Sequence, residues 1–333
     1  MPKRFRSFLM VLLLLFLSFA CRSIGKQPPQ LPTSSPTPPI LTVTATRSPT
    51  HTPTATLSPT PVITSTPTPA LLAGAGDISI CGHDGDEQTA QLLANFPTAI
   101  IFTSGDNSNE DGTLLQYQKC FAPSWGKFLD RLRPSPGNHD LKDGNDMGYY
   151  AFFGGAAGES GKGYYSFDLG AWHIIALNSN CDWAGGCGIN SPQLAWLQSD
   201  LEAHPTACTL AYWHHPRWSS GFAGNDGRLA PIWRTLYDHG VEIVVNGHEH
   251  HYERFAPQDA EGNPDPQKGI RQFVVGTGGA YLVGFSQPQP NSEIRDSSSF
   301  GIILFSLHPQ SYTWEFIPAE GGTFRDQGAG DCH

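Results

Sequence analysis

No acidic residue occurs in the first 76 positions of this 333-residue chain; Asp77 is the first. A long apolar run is missing too. The stretch from Phe8 to Ala20 holds thirteen residues, which as a helix reach only about 20 Å against a hydrocarbon core of about 30 Å. That argues against a membrane span, and because Lys3, Arg4 and Arg6 precede the run and Cys21 follows it, residues 1–21 read as an export signal. The seven cysteines show no paired C-x-x-C spacing, which argues against a cysteine zinc site. No internal repeat is seen.

Residues 22–70 are rich in proline, threonine and serine: Gln27 to Pro69 alone holds 12 of the 28 prolines. Such a tract cannot build a core and stays extended, so it reads as a disordered spacer holding a domain off a surface. At its start, Leu17-Ser18-Phe19-Ala20-Cys21 resembles a bacterial lipoprotein signal, in which the cysteine is lipidated and becomes the new N-terminus. The leucine sits one position early and Phe19 is bulky, so ordinary cleavage with secretion, or an uncleaved anchor, are the alternatives. Each places the domain outside the cytoplasm, and the first places it on a cell surface, held to the membrane by lipid.

All 30 Asp and Glu and 14 of the 20 Lys and Arg fall in the last 257 residues, a net charge of −16. A surface so acidic repels long nucleic acid, although a cationic site can reverse the field locally. With Cys21 assigned to lipid, six cysteines remain for up to three disulfides. Cys181 and Cys187 flank a glycine-bearing loop and are the best pair; the pairing of Cys81, Cys120, Cys208 and Cys332 is open.

Three apolar runs end at polar turn residues: Ala99–Thr103 before Gly105-Asp106, Cys208–Trp213 before His214, and Val241–Val245 before Gly247-His248. Helical spacing runs over Glu87–Phe96, Pro192–His204 and Leu229–His239. The alternation indicates βαβ units and a largely parallel sheet, with ligands bound beyond the carboxyl ends of the strands. Two hairpins are expected, Tyr164–Asn178 turning at Leu169-Gly170 and Gly301–Ile317 turning near Pro309-Gln310.

The motifs Gly76-Asp77, Gly105-Asp106-Asn107, Gly137-Asn138-His139-Asp140, His214-His215 and Gly247-His248-Glu249-His250 fall in one order along the chain. Singly each is an ordinary turn; together they offer mixed oxygen and imidazole donors suited to Zn, Fe or Mn. His248 and His250 are taken to alternate on a strand end and so share a side. With His250-His251-Tyr252-Glu253-Arg254, these residues resemble the calcineurin-like metallophosphoesterases, and more closely their purple acid phosphatase branch. Tyr164–Asp168 and Trp172–Asn180 resemble bacterial extracytoplasmic relatives. The likeness runs from about Leu71 to the C-terminus, so 71–333 is read as one catalytic domain.

The resemblance implies an α/β, or α+β, four-layer sandwich of two mixed β-sheets flanked by helices, with a dinuclear metal site at the strand C-terminal ends. It makes Asp106 the bridge, Asp77 and His250 the other ligands of a first ion, and Asn138, His214 and His248 those of a second. His139 would steady or protonate the leaving oxygen, while His215 and His251 are candidates for contacting phosphate. The expected activity is hydrolysis of small phosphomonoesters by water activated on the metal pair. The alternatives are a phosphodiesterase, or a metal-binding surface lipoprotein with weakened catalysis. Two positions depart from the pattern: Ser79 stands where many members carry a histidine, and Asn109 where the purple branch carries a tyrosine. The first ion is then held by three protein groups, or is aided by Asn109, Glu110 or His83, and is expected to be weaker or of different identity; Arg254 is expected to pair structurally with Glu253 or Asp140.

Overall fold

The computed structural model describes residues 68–142, 146–206 and 208–333. The export signal, the lipidation candidate Cys21 and all but the last three residues of the spacer lie outside them. Among the described residues no helix is long and apolar enough to cross a membrane.

In chain order the strands are β1 (Ala70–Ala75), β2 (Ile100–Ser104), β3 (Leu132–Ser135), β4 (Tyr165–Leu169), β5 (Trp172–Ala176), β6 (Thr209–Tyr212), β7 (Ile243–Asn246), β8 (Tyr252–Phe255), β9 (Arg271–Val275), β10 (Ser292–Asp296), β11 (Gly301–His308), β12 (Ser311–Pro318) and β13 (Asp326–Asp331). The helices are α1 (Gly85–Ala94), α2 (Leu114–Gln116), α3 (Asp146–Phe153), α4 (Pro192–Ala203) and α5 (Ala230–Asp238). One sheet runs β13-β12-β11-β1-β2-β3 and the other β10-β8-β9-β7-β6-β5-β4. Parallel pairing covers only β1-β2-β3 and β5-β6-β7-β9. The flanks are antiparallel, including both expected hairpins, β4-β5 and β11-β12. The expectation of a largely parallel sheet is thus corrected: each sheet has a parallel centre, and short connections without helices fold its margins back.

Side-chain alternation explains the layering. Ile174 of β5, Leu210 and Tyr212 of β6, and Ile243 and Val245 of β7 join the core shared with the first sheet. There Phe102 meets Tyr212 and Phe273 meets Phe305, with ring centroids 5.2 and 5.4 Å apart. The intervening residues Ile175, Ala211 and Val244 point the other way, onto Leu194 and Leu197 of α4 and Ile232, Trp233 and Leu236 of α5. Period-two strands under helices with apolar stripes bury both faces. Pro134 is tolerated because β3 is an edge strand. Three disulfides, Cys81–Cys120, Cys181–Cys187 and Cys208–Cys332, use all six remaining cysteines.

One buried clamp makes stability pH-dependent. His173 of β5 places Nδ1 2.9 Å from Asp168 Oδ1 of β4 and Nε2 2.9 Å from Asp200 Oδ2 of α4. Burial by itself would lower the imidazole pKa, but the bonds to Asp200 and Asp168 outweigh it and raise the value above the ordinary one. A raised folded pKa stabilises fully below the unfolded value of about 6.5 and loses that contribution as pH climbs through the folded value. The melting temperature of wild type should therefore exceed that of His173→Gln by more near pH 6 than near pH 9. A gap independent of pH would show that folding leaves the imidazole pKa unshifted, and a gap larger near pH 9 that the folded protein holds the ring neutral.

Candidate metal centre

Five loops at the carboxyl ends of parallel strands build the site. Asp77 follows β1, Asp106 follows β2, Asn138 and His139 follow β3, His214 follows β6, and His248 and His250 follow β7. The loops turn sharply: Asp77, Asp106 and His248 have φ of 58°, 49° and 70°. Left-handed backbone at non-glycine residues costs of order 1–3 kcal/mol each and gathers at functional sites. Two glycines make room. A Cβ on Gly137 would collide with the Asp106 carboxylate, and one on Gly105, at φ 87°, would stand 2.5 Å from His214 Nδ1.

Asp106 Oδ2 lies 3.2 Å from His214 Nε2, which in turn is 3.0 Å from Asn138 Oδ1 and 3.1 Å from His248 Nδ1. Asp77 Oδ1 lies 3.3 Å from His250 Nε2. One donor atom each from Asp77, Asp106 and His214 falls within 4.8 Å of the others. Backbone carbonyls set the imidazole tautomers. His214 Nδ1 donates to Ser104 O at 3.0 Å and His250 Nδ1 to Tyr281 O at 3.0 Å, so each turns a bare Nε2 to the cluster. His248 and His250 occupy a turn beyond β7 rather than a strand end; both still face the cluster.

The electrostatics favour cations. Asp77 and Asp106 are wholly buried, and burial raises both carboxyl pKa values; for Asp77 the charge of Asp106 adds to it. Burial lowers His214 to about 3, His248 to about 2 and His250 to about 4, keeping the imidazoles neutral. Neutral imidazoles and close buried carboxylates are what a metal ion requires.

Asn109 supplies a further test of fit. Its side chain is 4% exposed, with Nδ2 3.5 Å from Asp77 Oδ1 and 3.3 Å from Asp106 Oδ2. Its Oδ1 is buried without a hydrogen-bond partner. Rotating the amide by half a turn would point that unsatisfied oxygen at the two carboxylates, as a cation between them demands. Of the other two candidates for aiding the first ion, neither shows a contact with Asp77, Asp106 or His250. His83 is exposed, and Glu110 contributes its carbonyl to His139 Nδ1 at 2.7 Å. Ser79 hydrogen-bonds Asn107 O at 2.8 Å, a structural bond.

His139 donates its backbone N–H to Asp106 Oδ1 at 2.8 Å and holds Nε2 4.0 Å from Asp106 Oδ2. His215 packs its ring 4.4 Å from that of His248 and lines two adjoining cavities beside the cluster. His251 does not join them. It is fully buried, its Nε2 3.6 Å from Glu253 and its ring against Phe285, so the expected phosphate contact from His251 is corrected. Arg254 pairs with Asp326 and Glu293 instead of Glu253 or Asp140.

Several supporting groups escape sequence reasoning. Asp140 accepts from the backbone N–H of Asn107, Ser108 and Gly137 and from the Tyr117 hydroxyl, stapling the Asp106 loop to the Asn138 loop. Tyr281 stacks on His250 at 4.0 Å. Its signal was the glycine-rich run Gly276-Thr277-Gly278-Gly279 after an apolar strand.

The calcineurin-like phosphoesterase family model matches residues 72–252. Purple acid phosphatase 21 of Arabidopsis thaliana is 29% identical over 267 residues, 66% of this chain and 59% of the plant protein. Probable inactive purple acid phosphatase 1 of the same plant is 24% identical over 278 residues, 72% of this chain and 44% of that one. Among solved structures, a purple acid phosphatase from yellow lupin seeds superposes with a TM-score of 0.63 at 17% identity, covering 78% of this chain and 53% of that one, a likeness of fold. The chain spans less than two thirds of the length of each of these relatives.

Proposed function

Because the chain belongs to the calcineurin-like phosphoesterase family, we propose that it is a two-metal hydrolase of small phosphomonoesters. The observation that carries this reading is Asp106, whose Oδ2 lies within 3.3 Å of both His214 Nε2 and Asn109 Nδ2, between two sets of donors. Asp77, Asp106, His250 and Asn109 would hold one ion, and Asp106, Asn138, His214 and His248 the other. Bound there, the pair would supply Lewis-acid charge and an acidified water. With no phenolate among the donors, divalent Zn or Mn suits the first position better than iron(III).

The chain's own groups handle the proton and the phosphoryl oxygens. As water adds to phosphorus and the ester P–O bond breaks, His139 would pass a proton from Nε2 to the departing alcohol oxygen and recover one from solvent. The Glu110 carbonyl holds Nδ1–H and so aims that ring. Ser179 Oγ accepts from His215 N at 2.9 Å and gives its hydroxyl proton to Nδ1 at 2.8 Å, leaving Nε2–H of His215 to donate to a phosphoryl oxygen. The acidic surface disfavours nucleic acid as a substrate.

Elemental analysis of the purified protein, with turnover of a monoester and a diester of one alcohol, tests the reading. Two ions per chain and monoester turnover at least about ten-fold faster are expected. A faster diester makes it a phosphodiesterase. Two ions without turnover of either make it a binding protein, a reading favoured by Asn109 in the tyrosine position and by a relative described as probable inactive.

Export follows the same proposal: the mature chain starts at a lipidated Cys21 and stands on a cell surface. Three disulfides suit an oxidising compartment. Mass spectrometry of the mature N-terminus should find diacylglycerol on Cys21; an unmodified N-terminus, or any other start, rules out the anchor.

A further inference from the structure

Scattered exposed apolar side chains are ordinary on protein surfaces, but the large exposed aromatics among the described residues are not scattered. Of the three, Trp183, Phe222 and Tyr281, 47%, 69% and 44% exposed, Trp183 and Tyr281 stand beside the metal centre and Phe222 is next in sequence to residues that do. Tyr281 stacks on His250. Phe222 precedes Ala223 and Gly224, which line a cavity of about 260 Å³ with His215 and His248. Trp183 lines the adjoining cavity, about 250 Å³, together with Asn138, Lys142, His215 and Arg228.

Trp183 is the one built into place. Its loop is closed by the Cys181–Cys187 disulfide, and Asn180 Nδ2 ties the loop to the Asn138 turn through Pro136 O at 3.2 Å and Gly137 O at 3.3 Å. Trp183 N donates to Asn180 O at 2.9 Å. An indole held on a short covalently closed loop loses little freedom when a flat partner covers it, so more of the stacking energy appears as affinity. The cavity also lies at the His139 end of the cluster: Lys142, part of its wall, is 3.5 Å from the same Glu110 carbonyl that aims His139. The alcohol that leaves toward His139 therefore leaves toward Trp183.

We propose that this cavity takes the alcohol half of an aromatic phosphomonoester, an aryl or nucleoside phosphate, with its ring stacked on Trp183. The inference rests on the phosphoester reading above and is tested without turnover. Isothermal titration of the purified metal-containing protein with phenylphosphonate and methylphosphonate, whose C–P bonds resist hydrolysis, compares an aromatic with an alkyl group on the same anion. Phenylphosphonate should bind about ten-fold tighter. In Trp183→Ala the two dissociation constants should come within about two-fold, and Trp183→Phe should restore most of the difference, at unchanged metal content. Equal affinities in wild type, failure of phenylphosphonate to bind, or an undiminished ratio in Trp183→Ala overturns the proposal. A failure of hydrolysis alone registers in the monoester and diester assay and leaves the phosphonate ratio readable.

Discussion

Asp106→Asn should lower phosphoester turnover by roughly a thousand-fold or more, beyond the 10–100-fold that losing a group behind a metal ligand costs, and should leave the fold standing. The substitution is gentle to the backbone. Asparagine accepts the left-handed region that Asp106 occupies at φ 49°, and its amide oxygen can still accept from His139 N, now 2.8 Å from Oδ1. What it removes is the charge. The Asp106 carboxylate is buried, which raises its pKa despite His139, His248 and His250 nearby, and a neutral amide cannot offset two adjacent cations. Elemental analysis should find at least one ion missing, while the melting temperature of the metal-free protein stays close to that of metal-free wild type. A variant that keeps both ions and near-normal turnover would show that Asp106 is not shared between them.

How far the site could be read beforehand follows from where its residues sit. The runs before Asp106, His214 and His248 are apolar strands ending at glycine or histidine, so the end of each strand is visible in the sequence. Ligands at strand ends then follow from the rule for open parallel sheets. β1 carried less signal. Ala-Leu-Leu-Ala-Gly-Ala has no β-branched residue, and it is a strand because β11 and β2 pair with it on both sides. β13, with the sequence Asp-Gln-Gly-Ala-Gly-Asp, is held by its ladder to β12 and, just beyond it, by the bond of Cys332 to Cys208. Tertiary partners of that kind leave no local trace.

The same limit explains His251. Its neighbour His250 is a cluster residue, and adjacency in sequence suggested a shared role, yet the next side chain along a turn faces elsewhere and meets Glu253 and Phe285. Trp183 is the converse case. Nothing in Cys-Asp-Trp-Ala-Gly-Gly-Cys marks the loop as a neighbour of the candidate metal centre; the tie from Asn180 to the Asn138 turn brings it there.

Asn109→Tyr should turn a colourless or pale protein into one that absorbs visible light and contains more iron. In the wild type the first ion would have the charged Asp77 and Asp106, the imidazole of His250 and the neutral amide of Asn109. A phenolate in place of the amide adds negative charge and a donor that favours iron(III), and the iron–phenolate pair absorbs in the visible. The position is right because Asn109 already places its side chain 3.3 Å from Asp106 and 3.5 Å from Asp77. Because a tyrosine is larger than the pocket of a 4% exposed asparagine, Asn109→Asp serves as a companion of equal size. It should hold the first ion more tightly without adding colour. Chelator titration of wild type should release the first ion before the second, since Asn109 now turns Nδ2 rather than Oδ1 to Asp77 and Asp106, and until that amide turns the first ion has three donors, Asp77, Asp106 and His250, to the second ion's four. A wild type purple as isolated, or both ions leaving together in wild type and Asn109→Asp alike, would mean that another donor completes the first site and that Asn109 only hydrogen-bonds the carboxylates.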